Sequence, residues 1–343
     1  MLDNIVKEDV RNIISNTNFN KLRKYKKILI TGSSGLIGSY LLHTFNSLDK
    51  EKFKFRIYYQ YFSNIPNYLK YLSNEKVFFP LKLDLTDFSQ IGKLDKFDLI
   101  IHGAGYAQPS LFMKNSTKTY SLNTISIFYL INKLKKNGTF LFMSSSDVYR
   151  GNKRKLFREK DKGEEMFNNP RYAYIEGKKQ GEEILKFFGN QSFDIKIVRI
   201  SSAYGPCTKI NDNRVINSFI KKSIKNNIIE MLDPGNSIQT FCYISDLIEM
   251  ILNVLLNGKD KIYNITGPKT FTIRKVAETI SKLEKVDLKV PKISSSIKGS
   301  PAKVKLSTLK YNKEFKKKSY ISLNEGLERT IKWQKINLFG LKS

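Results

Sequence analysis

The chain has 343 residues, with 60 Lys and Arg against 31 Asp and Glu, a formal net charge of +29. Hydrophobic residues make up 41% and aromatics 12%, enough to bury a sizeable core, which excludes a disordered chain and suits two domains or one large one. Two cysteines, Cys207 and Cys242, exclude a disulfide scaffold and a multi-cysteine metal site, so no metal is expected and the reducing cytoplasm is the expected compartment.

The N-terminus carries acids and lacks a signal peptide's apolar stretch, and residues 1–25 read as a helical extension, with a charged helix over Lys7–Leu22 packed outside the core. The uncharged run Ile28–Phe45 is long enough to suggest a membrane span, but it holds three glycines and His43, so a strand, a glycine turn and a helix start are the better reading. No membrane partner is expected. The lysines are spread along the whole chain, which reads as compositional bias on solvated faces; no specific nucleic-acid site is expected.

From Lys27 short apolar runs alternate with amphipathic stretches, the pattern of βαβ units around a parallel sheet. Strands are predicted at Lys27–Thr31, Phe55–Tyr59, Val77–Leu81, Leu99–His102, Thr139–Met143 and Ile195–Ile200, and helices at Leu36–Asn46, Thr119–Lys135 and Arg171–Phe188. After Gly205-Pro206 the alternation breaks down, with helix-like Val215–Lys225, Asp246–Leu256 and Ile273–Leu283 between short strands. The expected fold is α/β: a Rossmann-type doubly wound parallel sheet over residues 26–205, then a smaller C-terminal α/β substrate lobe over residues 206–343, with a segment returning to the sheet.

The first strand runs into Thr31-Gly32-Ser33-Ser34-Gly35-Leu36-Ile37-Gly38. In that context Gly32 permits the tight turn, Gly35 lets the backbone approach a pyrophosphate, and Gly38 lets the helix pack close to the sheet. The phosphates would sit on the helix N-terminus. A ribose-binding acid is expected at the end of the second strand, yet no Asp or Glu occurs from Lys52 through Asn74, where Gln60 and Tyr61 stand instead. The reading favours NAD and leaves NADP open.

Tyr174 and Lys178 stand four apart and so share a helix face. An ammonium beside a phenol favours the phenolate and makes a general base for a sugar hydroxyl. Upstream, Phe140–Met143 reads as a buried strand ending in Ser144-Ser145-Ser146-Asp147, and open α/β sheets bind ligands at the carboxyl ends of their strands.

With these motifs in this order, the chain resembles the extended short-chain dehydrogenase/reductase family, in its nucleotide-sugar branch of epimerases, 4,6-dehydratases and decarboxylases, over Lys27 to Trp333. The resemblance implies cofactor contacts from Gly32, Ser34, Gly35, Leu36, Ile37 and Gly38. It adds Asp84 and Leu85 at the adenine, Gly103 and Ala104 along the strand-four wall, and Asn123 on the following helix. It implies that Tyr174 takes the proton of the sugar C4 hydroxyl, that Lys178 holds the nicotinamide ribose and lowers the Tyr174 pKa, and that Ser145 hydrogen-bonds the reacting oxygen. Asp147 fits the acid found two before the motif tyrosine in dehydratases and decarboxylases, one methylene shorter than the usual Glu.

Ser146, Tyr149, Ser202, Arg214 and Gln239 are the implied substrate contacts. Two of them are departures: Gln239 stands where the family's arginine grips the diphosphate, and Ser202 where an asparagine is usual. Phe241–Asp246 and Glu176-Gly177-Lys178 look most like UDP-glucuronate decarboxylase and its relatives in surface-polysaccharide clusters. The resemblance thus implies NAD-dependent chemistry on a nucleotide sugar through a transient 4-keto intermediate, decarboxylase- or 4,6-dehydratase-like, with C4 epimerisation as the alternative and a homodimer as the assembly. A non-catalytic NAD-binding scaffold or a nucleic-acid binder is the reading from another class.

Overall fold

The structure, a computed structural model, describes residues 3–164, 166–189, 192–292 and 305–341. The first half of the chain places α1 (Asn4–Ser15), β1 (Lys27–Thr31), α2 (Leu36–Asn46), α3 (Lys50–Phe53), β2 (Arg56–Tyr61), β3 (Phe78–Lys82), α4 (Phe88–Gly92) and β4 (Phe97–His102) in order. Then come α5 (Pro109–Lys114), α6 (Ser116–Asn123), α7 (Ile125–Ile131), β5 (Leu134–Ser145), α8 (Tyr172–Phe188) and β6 (Asp194–Ile200). The remainder is β7 (Ser202–Tyr204), α9 (Val215–Asn226), β8 (Ile228–Glu230), β9 (Ile238–Tyr243), α10 (Ile244–Asn257), β10 (Ile262–Ile265), β11 (Thr270–Thr272), α11 (Ile273–Glu284), β12 (Asp287–Lys289), α12 (Leu309–Phe315) and α13 (Leu323–Phe339).

Among the described residues, seven strands form one sheet in the order β10-β6-β5-β4-β1-β2-β3, and every pairing in it is parallel. Runs such as Ile28-Leu29-Ile30 and Phe140-Leu141-Phe142 are wholly buried, as strands covered by helices on both faces must be. The chain moves outward from β1 through β2 and β3 and then crosses to β4 on the other side. That reversal opens a crevice at the carboxyl ends of β1 and β4, the place where doubly wound sheets take ligands. The short strands β7, β9 and β11 make a second sheet that walls the other side of the crevice.

Two expectations need correcting. The predicted helix Thr119–Lys135 breaks at Thr124 and ends at Ile131, and Leu134 and Lys135 already belong to β5. The break has a local cause: the Asn123 amide donates to Thr119 O and the Thr124 hydroxyl to Tyr120 O, so side chains take carbonyls the helix would use. Close packing also fixes the site, because a Cβ on Gly181 of α8 would lie 2.3 Å from Asn123 O.

The N-terminal helix, expected outside the core, is part of it. It spans Asn4–Ser15, capped by Asp3, and buries Val6, Val10 and Ile13. Its Asp9 is fully buried and accepts hydrogen bonds from Tyr40 Oη (2.7 Å) and Tyr243 Oη (2.8 Å) while pairing with Arg329 (3.1 Å). Burial outweighs these partners and pushes the Asp9 carboxyl up to about 6.

Candidate active site

A cavity of about 1000 Å³ runs from the glycine turn, past the ends of β4 and β5, to the β7–β9 sheet. At one end Gly32 has φ of 68°, and a Cβ there would meet Gly103 O at 2.6 Å. A Cβ on Gly38 would lie 2.5 Å from Ser33 Cα. The turn is therefore a cradle that side chains would fill, opening onto the N-terminus of α2, where backbone N–H groups and the helix dipole suit a pyrophosphate. These residues fit a dinucleotide. Asp84, expected at the adenine, lines the same cavity; against the upward push of burial, Thr86 and Lys118 hold its carboxyl below the ordinary range.

Of the residues singled out in the sequence, Gly32, Ser34, Gly35, Leu36, Ile37, Gly38, Asp84, Leu85, Gly103, Ala104, Ser145, Ser146, Asp147, Tyr174, Lys178, Ser202, Arg214 and Gln239 all line this cavity. Asn123 does not; it stands behind the wall with its amide on Thr119 O and a buried Oδ1 that has no hydrogen-bond partner. Tyr149, implied as a substrate contact, is turned away and fully buried. Its hydroxyl donates to Asn264 Oδ1 (2.7 Å) and accepts from Arg199 Nη1 (2.8 Å), and its ring stacks on Phe157. Arg199 in turn is clamped by Glu182, whose Oε1 also accepts from Ser144 Oγ at 2.5 Å. This ionic knot fixes the strand end that presents Ser145.

Tyr174 enters from the first turn of α8 with its ring stacked on Phe112 at 4.5 Å. Burial and the Asp147 charge push its phenol up to about 12, while Ser145, Arg171 and Arg214 pull the other way. Lys178 lies one turn further along α8, but its ammonium donates to Met143 O at 2.6 Å and sits over the Phe142 ring at 4.6 Å. Burial lowers its pKa to about 7. The expected depression of the Tyr174 pKa by Lys178 is thus not realised in this pocket, because the ammonium is desolvated and held by a strand carbonyl.

Asp147 faces Arg171, which sequence reasoning missed. The Arg171 Nη2–Asp147 Oδ2 distance is 2.5 Å, with the two side chains 8% and 7% exposed. The signal was available, since Arg171 stands three before Tyr174 and so lies on its helix face. At the far end the two departures meet: Ser202 Oγ donates to Gln239 Oε1 at 3.2 Å, a neutral corner between β7 and β9. Arg214 is the nearby cation, held by Asp212 through Nε and Nη2. Among the described residues no group of His, Cys, Asp and Glu could hold a metal, and no helix is long and apolar enough to cross a membrane. Both cysteines are buried thiols.

A glycine cradle at the switch point of a parallel sheet, opening onto a Ser–Tyr–Lys wall, defines a dinucleotide-dependent enzyme of the extended short-chain dehydrogenase/reductase type. The model of the NAD dependent epimerase/dehydratase family matches residues 28–266, and the chain belongs to that family, with NAD as its cofactor. UDP-glucuronic acid decarboxylase 6 of Arabidopsis thaliana is 28% identical over 274 residues, covering 79% of this chain and 78% of that protein. A dTDP-glucose 4,6-dehydratase from Streptomyces venezuelae, solved with NAD and TYD bound, superposes with a TM-score of 0.79 at 18% identity over 92% of this chain and 99% of that one. A UDP-glucose 4-epimerase from Thermotoga maritima, solved with UDP-glucose, gives 0.74 at 18% identity over 91% and 99%.

Proposed function

We propose that this enzyme oxidises a nucleotide sugar at C4 and then decarboxylates or dehydrates the 4-keto intermediate, in the manner of the decarboxylases it is similar to, as part of sugar supply for a surface polysaccharide. The observation that carries the reading is the cavity wall on which Ser145, Asp147, Tyr174 and Lys178 converge beside the glycine turn. NAD, held at the Gly32–Gly38 turn, would supply the acceptor for the C4 hydride and its later donor. Tyr174 accepts the C4 hydroxyl proton and gives it back, and Ser145 holds the oxygen on which charge changes. With a carboxylate at C6, the C5–C6 bond of the β-keto acid breaks, carbon dioxide leaves, and the electron pair passes into the enolate of the C4 carbonyl. With a 6-hydroxyl, the acidified C5 proton is removed and water is eliminated across C5–C6; the hydride taken from C4 would then go to C6 and a proton to C5, so that the C4 carbonyl is kept.

Arg214 and the Ser202–Gln239 pair face the diphosphate. An uncharged amide at position 239 supports a nucleotide sugar other than the common uronate substrate, because a bidentate arginine contact is absent there. We propose a homodimer as the working form, through the face on which Tyr120, Ile125, Phe128, Tyr129 and Phe187 are exposed. The test is mass spectrometry of products from NAD and a panel of nucleotide sugars that includes uronic acids. Loss of carbon dioxide or of water supports the proposal; an unchanged mass with altered chromatography indicates epimerisation; no change across the panel while NAD binds overturns it.

A further inference from the structure

One corner of the cleft is not used by the chemistry above. At the end of β2 a doubly wound fold ordinarily presents a carboxylate to the adenosine ribose, and that charge repels a 2′-phosphate. Gln60 stands there, buried. Both ends of its amide are engaged: Oε1 accepts from Gly32 N at 2.9 Å and Nε2 donates to Leu83 O at 2.6 Å. The side chain is held against the glycine turn as a neutral group.

Across the cleft the substrate lobe sends a cation to the same turn. Lys209 Nζ lies 3.3 Å from Ser34 Oγ, and Ser34 is two residues beyond the Gly32 amide that holds Gln60. Burial draws the Lys209 pKa down, opposed by Asp212, so an anion placed beside it strengthens its charge. From α6, Lys118 reaches the same mouth, 5.7 Å from the Phe62 ring centre and 3.6 Å from Asp84 Oδ2. The Asp84 charge is therefore already answered by Lys118 and by Thr86, which donates both N–H and Oγ1–H to Oδ1.

We propose that the corner formed by Gln60, Ser34 and Lys209 accepts a 2′-phosphate, so that the enzyme binds NADP as well as NAD. The inference rests on the dinucleotide reading of the glycine turn and is independent of the sugar chemistry. Titration calorimetry on the full chain tests it with four probes: NAD+, NADP+, 5′-AMP and 2′,5′-ADP. The expected result is an NADP+ Kd within about tenfold of that for NAD+, with 2′,5′-ADP bound more tightly than 5′-AMP. Lys209→Met should weaken NADP+ and 2′,5′-ADP by about tenfold and leave 5′-AMP within about twofold. Gln60→Asp should shift the preference toward NAD+ by about tenfold or more. A wild-type preference for NAD+ greater than about tenfold, or equal weakening of 5′-AMP and 2′,5′-ADP by Lys209→Met, overturns the proposal. Failure of NAD+ and NADP+ alike to bind would overturn the dinucleotide site itself.

Discussion

Replacing Asp147 by Asn tests structure and chemistry in one variant. The carboxylate is buried against Arg171 at 2.5 Å, and the loss of its charge leaves a guanidinium in a poorly solvated wall. Breaking a buried pair costs about 3–5 kcal/mol. The amide that replaces the carboxylate keeps a carbonyl acceptor, which places the expected loss near the lower end, about 3 kcal/mol, or about 4 °C in Tm if the whole chain unfolds as one unit. The double variant Asp147→Leu with Arg171→Met removes both charges together and should restore most of that stability, since a well-packed apolar pair replaces a buried ion pair at little cost. The second readout is chemical. Asp147 is, after burial, the main influence raising the Tyr174 phenol, so Asp147→Asn should move the alkaline-going limb of kcat/KM to lower pH even as kcat falls. Urea unfolding and a pH–rate profile measure the two effects. Stability within about 0.5 kcal/mol of wild type, together with an unmoved limb, would refute the reasoning.

Gly38→Ala drives a Cβ to 2.5 Å from Ser33 Cα, so we expect a loss of about 1–3 kcal/mol and dinucleotide binding weakened about tenfold or more. Gly92→Ala, with nothing within 4 Å of the added carbon, is the control and should be neutral or slightly stabilising. The Lys178 pKa falls to about 7 in the folded chain from 10.5; the folded state then binds fewer protons than the unfolded state, and stability should rise as pH increases from about 7 toward about 8.5. The slope is at most about 1.4 kcal/mol per pH unit from this group, and denaturant titrations of Lys178→Met should lack it. Phe128→Glu with Phe187→Glu, both on the exposed face of α7 and α8, should convert a dimer to a monomer by light scattering; a parent chain that is already monomeric would contradict the proposed assembly.

What was legible in the sequence follows from how local each constraint is. Lys27–Thr31 matches β1, and helix-like Val215–Lys225 differs from α9 by one residue, because apolar runs and the 3.6-residue period are written within a few neighbours. The glycine turn was legible because only glycine tolerates those contacts. The start of β5 was not, since Lys135, Lys136 and Asn137 are exposed and carry no apolar signal. Tyr149 and Lys178 were placed in the sequence, but their directions were decided by partners far along the chain, Asn264 and Arg199 for one and Met143 for the other. Arg171 could be read from its spacing to Tyr174, but that its partner is Asp147 is decided only by the fold.

The Asp9 knot also orders events in time. Asp9 is joined to Arg329, 320 residues later, and through Tyr40 and Tyr243 to the helix of the glycine turn and the last residue of β9. Helix α1 must therefore wait for α13 before its buried carboxylate is answered, and long-range closures of this kind are slow. Helices α1, α2 and α13 and strand β9 consequently mature as one unit, and a chain cut before α13 leaves Asp9 without Arg329.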